Sequence, residues 1–128
     1  MFGVVPKPLW EKTNPADANN RIEMCSRSLL IEDGNRLTLI DTDMGNKQSE
    51  KFFGYYDRWG TDTLEKSLAE KGFHKEDITD VFLTHLHFDH CGGAVEKEKN
   101  GVLEPAFKNA VYWSHKDHWQ WATVPNAR

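Results

Sequence analysis

The sequence contains little of what marks several large classes of protein. It has two cysteines, Cys25 and Cys91, in 128 residues, which is too few for a disulfide framework. Its longest clearly apolar run, Leu29-Leu30-Ile31, is far shorter than the roughly 20 residues that a membrane-spanning helix needs. The first residues lack the charged-then-apolar layout of a signal peptide. These features predict a cytoplasmic protein with no membrane partner.

The chain also lacks an excess of positive charge. It has 16 Lys and Arg against 20 Asp and Glu, for a formal net charge of -4. Domains that bind nucleic acid usually show a basic patch, and no basic cluster is visible here, so we expect no nucleic-acid partner. Internal repeats, linkers and low-complexity segments are absent from the sequence as well. The length and the 38% hydrophobic content indicate a single domain with a core.

A cluster of metal-binding side chains follows the apolar run Val81-Phe82-Leu83. Imidazole nitrogens and carboxylate oxygens suit zinc and neighbouring divalent metals. In an extended chain, His85 and His87 would project to one side roughly 6.6 Å apart, so we expect them to share one metal. Asp89 continues this period, whereas His90 breaks it and should point elsewhere. We therefore expect Asp89 and His90 to serve a second metal roughly 3.5–4 Å from the first.

This motif resembles the signature His-x-His-x-Asp-His of the metallo-β-lactamase superfamily, which stands intact between His85 and His90. The stretch from Leu39 to Gly45 is similar to that family's strand-ending Asp-Thr-Gly loop, except that Asp43 stands where the family usually has Gly. The resemblance implies an α/β fold that is the N-terminal half of an αββα four-layer sandwich. Residues 1–128 would then be a single incomplete domain without the C-terminal half, which in the family supplies further metal ligands.

The resemblance also implies a function. Phe2 to Lys7 and Asn109 to Arg128 look most like the lactonase and methyl-parathion-hydrolase-like branch. We therefore expect a metal-dependent hydrolase that acts on a lactone or related ester through a metal-bound hydroxide. The implied cofactors are two divalent metal ions, zinc first, with iron or manganese as alternatives. Asp89 would bind a metal and orient the attacking water or accept its proton. Asp41 would hold the histidine loop in place without binding a metal itself.

Two rival interpretations stay open at this point. The first is a thioester hydrolase or an iron-dependent oxygenase of the same fold. The second is a catalytically incomplete fragment or structural half-domain that needs another chain, because a dinuclear site requires more ligands than this motif supplies. The expected partners are a small-molecule substrate and either the missing C-terminal half or a second copy of the chain.

Other side chains that could join a site have simpler interpretations. Core packing is the favoured role of the aromatic set Phe52, Phe53, Tyr55, Tyr56 and Trp59, because aromatic residues dominate core burial. The alternative is that some of them, with Phe2 and Trp10, wall an apolar substrate pocket. His115 and His118 could share a helix face, but we interpret them as surface or packed residues rather than ligands. His74 should be exposed, and Cys91 a small packed residue.

The secondary structure expected around the motif alternates strands and helices. We predict a loop over 1–20, a hairpin of strands 21–32 and 36–40, a helix from Asp62 to Lys71 with Asp62 as N-cap, a surface loop over 96–101, a strand at 110–113 and a last helix capped by Ser114. The apolar content on both faces of 36–40 suggests a strand covered on both sides. Such an order predicts a parallel or mixed sheet with its functional loop at a strand's carboxyl end.

Overall fold

The computed structural model describes residues 2–125. Helices and strands are short and alternate along the chain. Their order is α1 (Lys7–Trp10), β1 (Leu29–Asp33), β2 (Arg36–Ile40), α2 (Glu50–Gly54), α3 (Leu64–Glu70), β3 (Asp80–Phe82), α4 (Phe88–Cys91), β4 (Val95–Lys97), β5 (Leu103–Pro105), β6 (Val111–Trp113) and α5 (Lys116–Thr123). No helix within 2–125 is long and apolar enough to cross a membrane.

A four-stranded sheet in the order β1-β2-β3-β6 positions the site. Strands β1 and β2 form the predicted antiparallel hairpin, with Gly34 in its turn at a φ of +58°. Strand β3 pairs in parallel with β2 on one side and with β6 on the other. The carboxyl ends of β2, β3 and β6 therefore meet at one edge, which is where open α/β sheets carry their functional loops.

The core lies against one face of this sheet. A row of paired residues, Leu30, Leu39, Val81 and Tyr112, crosses all four strands. Leu39 and Val81 are fully buried at the centre of the row. Other buried members of the core cluster are Leu37, Leu68, Ile78, Leu83, Ala94, Ala106 and Phe107. Along β2 the buried residues Leu37 and Leu39 alternate with the half-buried Thr38 and Ile40.

The opposite face of the sheet is open within residues 2–125. Its corresponding row is Leu29, Ile40, Phe82 and Trp113. Leu29 is 59% exposed, Phe82 45% and Trp113 48%. On β2 itself Thr38 and Ile40 are half-buried, so the expectation that β2 is covered on both sides is only partly met in the described part of the chain.

A buried carboxylate joins three of the strands. Asp80 on β3 accepts hydrogen bonds from Arg36 Nη2 on β2 at 3.0 Å and from Trp113 Nε1 on β6 at 2.7 Å. Thr79 adds a third bond through its hydroxyl at 2.8 Å. These bonds hold the pKa of Asp80 below its usual value, with Arg36 contributing most.

Several predicted boundaries differ from the structure. The first strand begins at Leu29 rather than Arg21, and a short helix, α1, interrupts the predicted N-terminal loop. Helix α3 is capped by the Thr63 side chain, because Asp62 instead pairs with Lys66 at 3.1 Å. The cap of α5 is likewise His115 rather than Ser114. The predicted loop over 96–101 includes part of β4, which forms a hairpin with β5.

Candidate metal centre

The loop after β3 gathers three histidine rings. The ring centroid of His85 lies 4.7 Å from that of His87 and 4.0 Å from that of His90. The chain is extended at His87 but turns helical at Phe88, where α4 begins. This turn brings His90 back towards His85, so the expectation that the extended period continues to Asp89 and that His90 points elsewhere is wrong.

The donor set fits a divalent metal in its chemistry, since imidazole and carboxylate suit zinc and its neighbours. Asp89 Oδ2 lies 3.5 Å from His90 Nε2, so all four predicted ligands share one small region. Burial and the neighbouring imidazoles of His90 and His87 lower the pKa of His85, which favours the neutral ring that a metal requires. Within 2–125 no three such side chains are already arranged to hold an ion.

Asp41 anchors this cluster from the end of β2. It has a left-handed backbone with a φ of +58°, and its Oδ2 lies 2.8 Å from His90 Nδ1. Because an ionised carboxylate can only accept, His90 carries its proton on Nδ1 and leaves Nε2 free. Burial alone would raise the pKa of Asp41, but hydrogen bonds from His90 and Thr84 outweigh it and hold this pKa below its usual value.

Thr84 is a site residue that the sequence analysis did not single out. Its backbone N–H donates to Asp41 Oδ1 at 2.8 Å, and its hydroxyl lies 2.8 Å from Asp41 Oδ2. The same hydroxyl lies 3.1 Å from His85 Nδ1. The only signal in the sequence was its place directly before the first histidine of the motif.

Two glycines after the motif let its backbone press against the loop that follows β2. A Cβ atom on Gly92 would overlap the Met44 carbonyl, and one on Gly93 would overlap the Thr42 carbonyl oxygen. Thr42 is fully buried, and its N–H donates to the His90 carbonyl at 2.7 Å. Close backbone packing, which only glycine permits, therefore fixes where the motif lies.

Asp43, which departs from the family pattern, is used within its own loop. Its side chain accepts a hydrogen bond from the Gly45 N–H, and burial raises its pKa. Lys47 donates to the Gly92 carbonyl from the same loop, and burial lowers the pKa of this lysine. Cys91 is a free, half-buried thiol packed on the core, and burial raises its pKa, as expected for a packed residue rather than a nucleophile.

The aromatic set does not form core as the sequence analysis favoured. Of its five members only Phe53 is buried, whereas Tyr55 is 69% exposed and Trp59 72% exposed. Phe52 and Tyr56 instead contact Phe88 inside the motif, at centroid distances of 5.1 and 4.9 Å. Phe52 and Tyr56 thus lie against the motif, and the alternative that such residues wall an apolar substrate pocket stays a prediction.

Phe2 and Trp10 stack on each other at 4.8 Å with their rings nearly parallel. Val4 and Leu9 next to them are exposed. This pairing explains why the N-terminal segment carries apolar residues, but it does not test whether Phe2 and Trp10 line a substrate pocket, which stays a prediction.

His118 lies nearer the motif than its interpretation as a surface or packed residue implied. Because β3 and β6 are parallel neighbours, the segments that follow them share an edge of the sheet. The His118 ring is 6.4 Å from that of His85, and its buried Nδ1 has no hydrogen-bond partner in the described part of the chain. His115, in contrast, accepts from the Asp117 N–H as the cap of α5.

A sequence model of the metallo-beta-lactamase superfamily matches residues 26–122. This range contains β1 to β6, the Asp41 loop and the whole histidine motif. The chain therefore belongs to the metallo-beta-lactamase superfamily, and its mixed α/β structure is part of that fold. The predicted fold class is confirmed. A search of curated proteins finds no significant match.

Solved structures agree with this assignment. A probable metal-dependent hydrolase from Staphylococcus aureus is 35% identical, with a TM-score of 0.88 over the whole of this chain and 45% of its own. AidC, a dizinc quorum-quenching lactonase in complex with a product, is 34% identical, with a TM-score of 0.66 over 85% of this chain and 33% of its own. The hydrolase AbOPH, at 23% identity and a TM-score of 0.68 over 96% of this chain and 38% of its own, supports the fold alone. The chain thus spans less than half the length of these proteins.

Proposed function

We propose that this chain carries the metal-binding part of a metal-dependent hydrolase that acts on a lactone or related ester. The observation that supports this most is the cluster of His85, His87 and His90 with Asp89. Asp41 holds this cluster through its hydrogen bond with His90. We propose two divalent ions, zinc first, because AidC is described as a dizinc enzyme and imidazole with carboxylate suits that metal. Iron and manganese are the alternatives.

The metals would supply an activated water and polarise the ester carbonyl. The chain's own residues have distinct tasks. His85, His87 and His90 hold the ions as neutral ligands, and Asp41 keeps the free nitrogen of His90 turned outward. Asp89 shares an ion and accepts the proton that the attacking water loses.

Substrate preference is proposed from the aromatic residues beside the motif. Phe52, Tyr56 and Phe88 form a contiguous cluster next to the histidines, which suits an apolar part of a substrate. AidC is described with a bound N-hexnoyl-L-homoserine product, which also has an apolar arm. These two observations favour an acylated lactone over a small polar ester, and they are what supports the lactonase branch. A small-molecule substrate and a cytoplasmic location remain predictions.

The metal assignment is tested by three variants of residues 1–128. His85→Ala and His87→Ala should each lose most of the bound zinc, because each removes a ligand. His74→Ala is the matched control, since His74 is exposed and lies outside the motif. Elemental analysis after gel filtration measures the metal content. Equal zinc in all three variants would contradict the assignment.

Hydrolysis is tested separately by pH-stat assay of an acyl lactone. If the zinc-loaded chain turns over substrate, Asp89→Asn should lower the rate by roughly 10² or more while the fold survives. Zinc binding without turnover would favour the second candidate, an incomplete half-domain that needs the rest of the fold or a second copy, because the matched structures are more than twice as long as the region they share. Iron binding with oxygen uptake would favour an oxygenase of the same fold. Cleavage of a thioester in place of a lactone would favour a thioester hydrolase.

A further inference from the structure

The Asp41 carboxylate is linked to two different histidines of the cluster, to His90 directly and to His85 through Thr84. Asp41 Oδ2 lies 2.8 Å from His90 Nδ1 and 2.8 Å from the Thr84 hydroxyl. The hydroxyl in turn lies 3.1 Å from His85 Nδ1. Asp41, Thr84 and His85 thus form a continuous hydrogen-bonded chain that ends at a predicted metal ligand.

The direction of each bond in this chain follows from counting protons. The Thr84 hydroxyl has one proton to give and can accept through its lone pairs. The Asp41 carboxylate carries no proton in its ionised form and so can only accept. The hydroxyl therefore donates its hydrogen bond to Asp41. In its bond with His85 the hydroxyl oxygen accepts, and the Nδ1–H of the ring donates. His85 is left with a bare Nε2 atom.

We propose that Thr84 is a positioning residue that fixes His85 in the Nδ1-protonated tautomer and so selects Nε2 as its metal-binding nitrogen. This rests on the proposed metal-dependent function. A neutral imidazole has two tautomers, and only this one presents a lone pair at Nε2. Asp41 acts on His90 directly and on His85 through Thr84, so a single carboxylate sets the donor atoms of two ligands.

The local structure allows the hydroxyl to be removed without losing the loop. The Thr84 N–H bond to Asp41 Oδ1, at 2.8 Å, belongs to the backbone and survives any side-chain change. Thr84 is also exposed, so substitution leaves no cavity. Thr84→Val keeps the branched shape and removes only the hydroxyl, whereas Thr84→Ser keeps the hydroxyl and is the matched control.

The experiment is long-range ¹H–¹⁵N spectroscopy of residues 1–128 with labelled histidine, at about pH 8, where imidazoles are neutral. Metal-free wild type and Thr84→Ser should show His85 protonated on Nδ1, and Thr84→Val should move it towards Nε2 protonation. Zinc affinity, measured by chelator competition, should fall about tenfold or more in Thr84→Val and stay within about twofold of wild type in Thr84→Ser.

The possible results separate the two proposals. A wild-type His85 protonated on Nε2, or a Thr84→Val variant with unchanged tautomer and unchanged zinc affinity, would overturn the role of Thr84 while leaving the metal function intact. A tautomer that shifts in Thr84→Val although wild type binds no zinc would support the hydrogen-bond assignment and overturn the proposed metal function.

Discussion

At the scale of single residues, Asp41 joins the end of β2 to the histidine motif. Its left-handed backbone turns the side chain away from β2 and towards the motif, where it meets His90 and Thr84. Asn and Asp adopt this conformation more readily than other side chains that carry a Cβ atom. The position therefore requires both an unusual backbone and a charge.

Asp41→Asn separates these two requirements. Asn tolerates the same backbone, but it removes the negative charge that holds the Nδ1 proton of His90, so zinc affinity should fall by about 10–100-fold. Asp57→Asn is the control, because Asp57 also has a positive φ, of 46°, but pairs with Arg21. Chelator competition measures both variants. An Asp41→Asn variant that binds zinc as tightly as Asp57→Asn would show that the charge is unimportant.

Gly93→Ala tests the close packing behind the motif. The added methyl group would overlap the Thr42 carbonyl oxygen, so the backbone must shift and the free energy of unfolding should fall by about 2 kcal/mol or more. Gly54→Ala at the end of α2 has open space around the new Cβ and should be neutral or slightly stabilising. Urea unfolding followed by circular dichroism compares the two. Equal stability of both variants would contradict the packing argument.

At the scale of elements, Asp80 couples three strands through a charge that depends on pH. Its folded pKa is lowered, so the stability that it contributes is present above its unfolded pKa of about 3.9 and is lost as pH falls through the folded pKa. Wild type should therefore exceed Asp80→Asn in urea midpoint at neutral pH, and the gap should narrow as pH falls below about 4. A gap of the same size at pH 7 and pH 3 would rule out this coupling.

The elements that could be predicted are those whose cause is local. The hairpin ending in strand 36–40 was predicted, because strand patterning and a tight turn act between near neighbours. The start of α3 was off by one residue, because Asp62 and Thr63 are both good caps and only the ion pair of Asp62 with Lys66 separates them.

The arrangement of the site depended on contacts that sequence spacing does not reveal. His90 meets Asp41 across 49 positions, and His118 approaches His85 only because β6 is the parallel neighbour of β3. The identities of the four predicted ligands came from their chemistry, whereas the direction of His90 required knowing that α4 begins at Phe88. The four ligands stay predictions, and spacing along the sequence did not reveal the orientation of His90.

At the scale of the whole molecule, the open apolar face of the sheet should control association. Leu29, Ile40, Phe82 and Trp113 form a row across strands that include both sheet edges, and such surfaces recruit partners. We expect residues 1–128 to have a mass that rises with concentration in light scattering.

Leu29→Gln should reduce this association. Leu9→Gln is its matched control, since Leu9 is 60% exposed and Leu29 59%, but Leu9 lies outside the sheet. Light scattering over a concentration series compares both with wild type. A wild type that stays monomeric throughout, or an equal effect of the two variants, would show that the open face is not the cause.

The contact between the Asp41 loop and the end of the motif also has a consequence for synthesis of the chain. Thr42 and His90 are 48 positions apart, so roughly 2–10 s separate their emergence at about 5–20 residues per second. The β1–β2 hairpin and its loop leave the ribosome first. Gly92 and Gly93 arrive later, and the carbonyl groups of Thr42 and Met44 that receive them are by then already outside. The histidine motif and the two glycines that follow it therefore join this contact only after the loop that receives them has emerged.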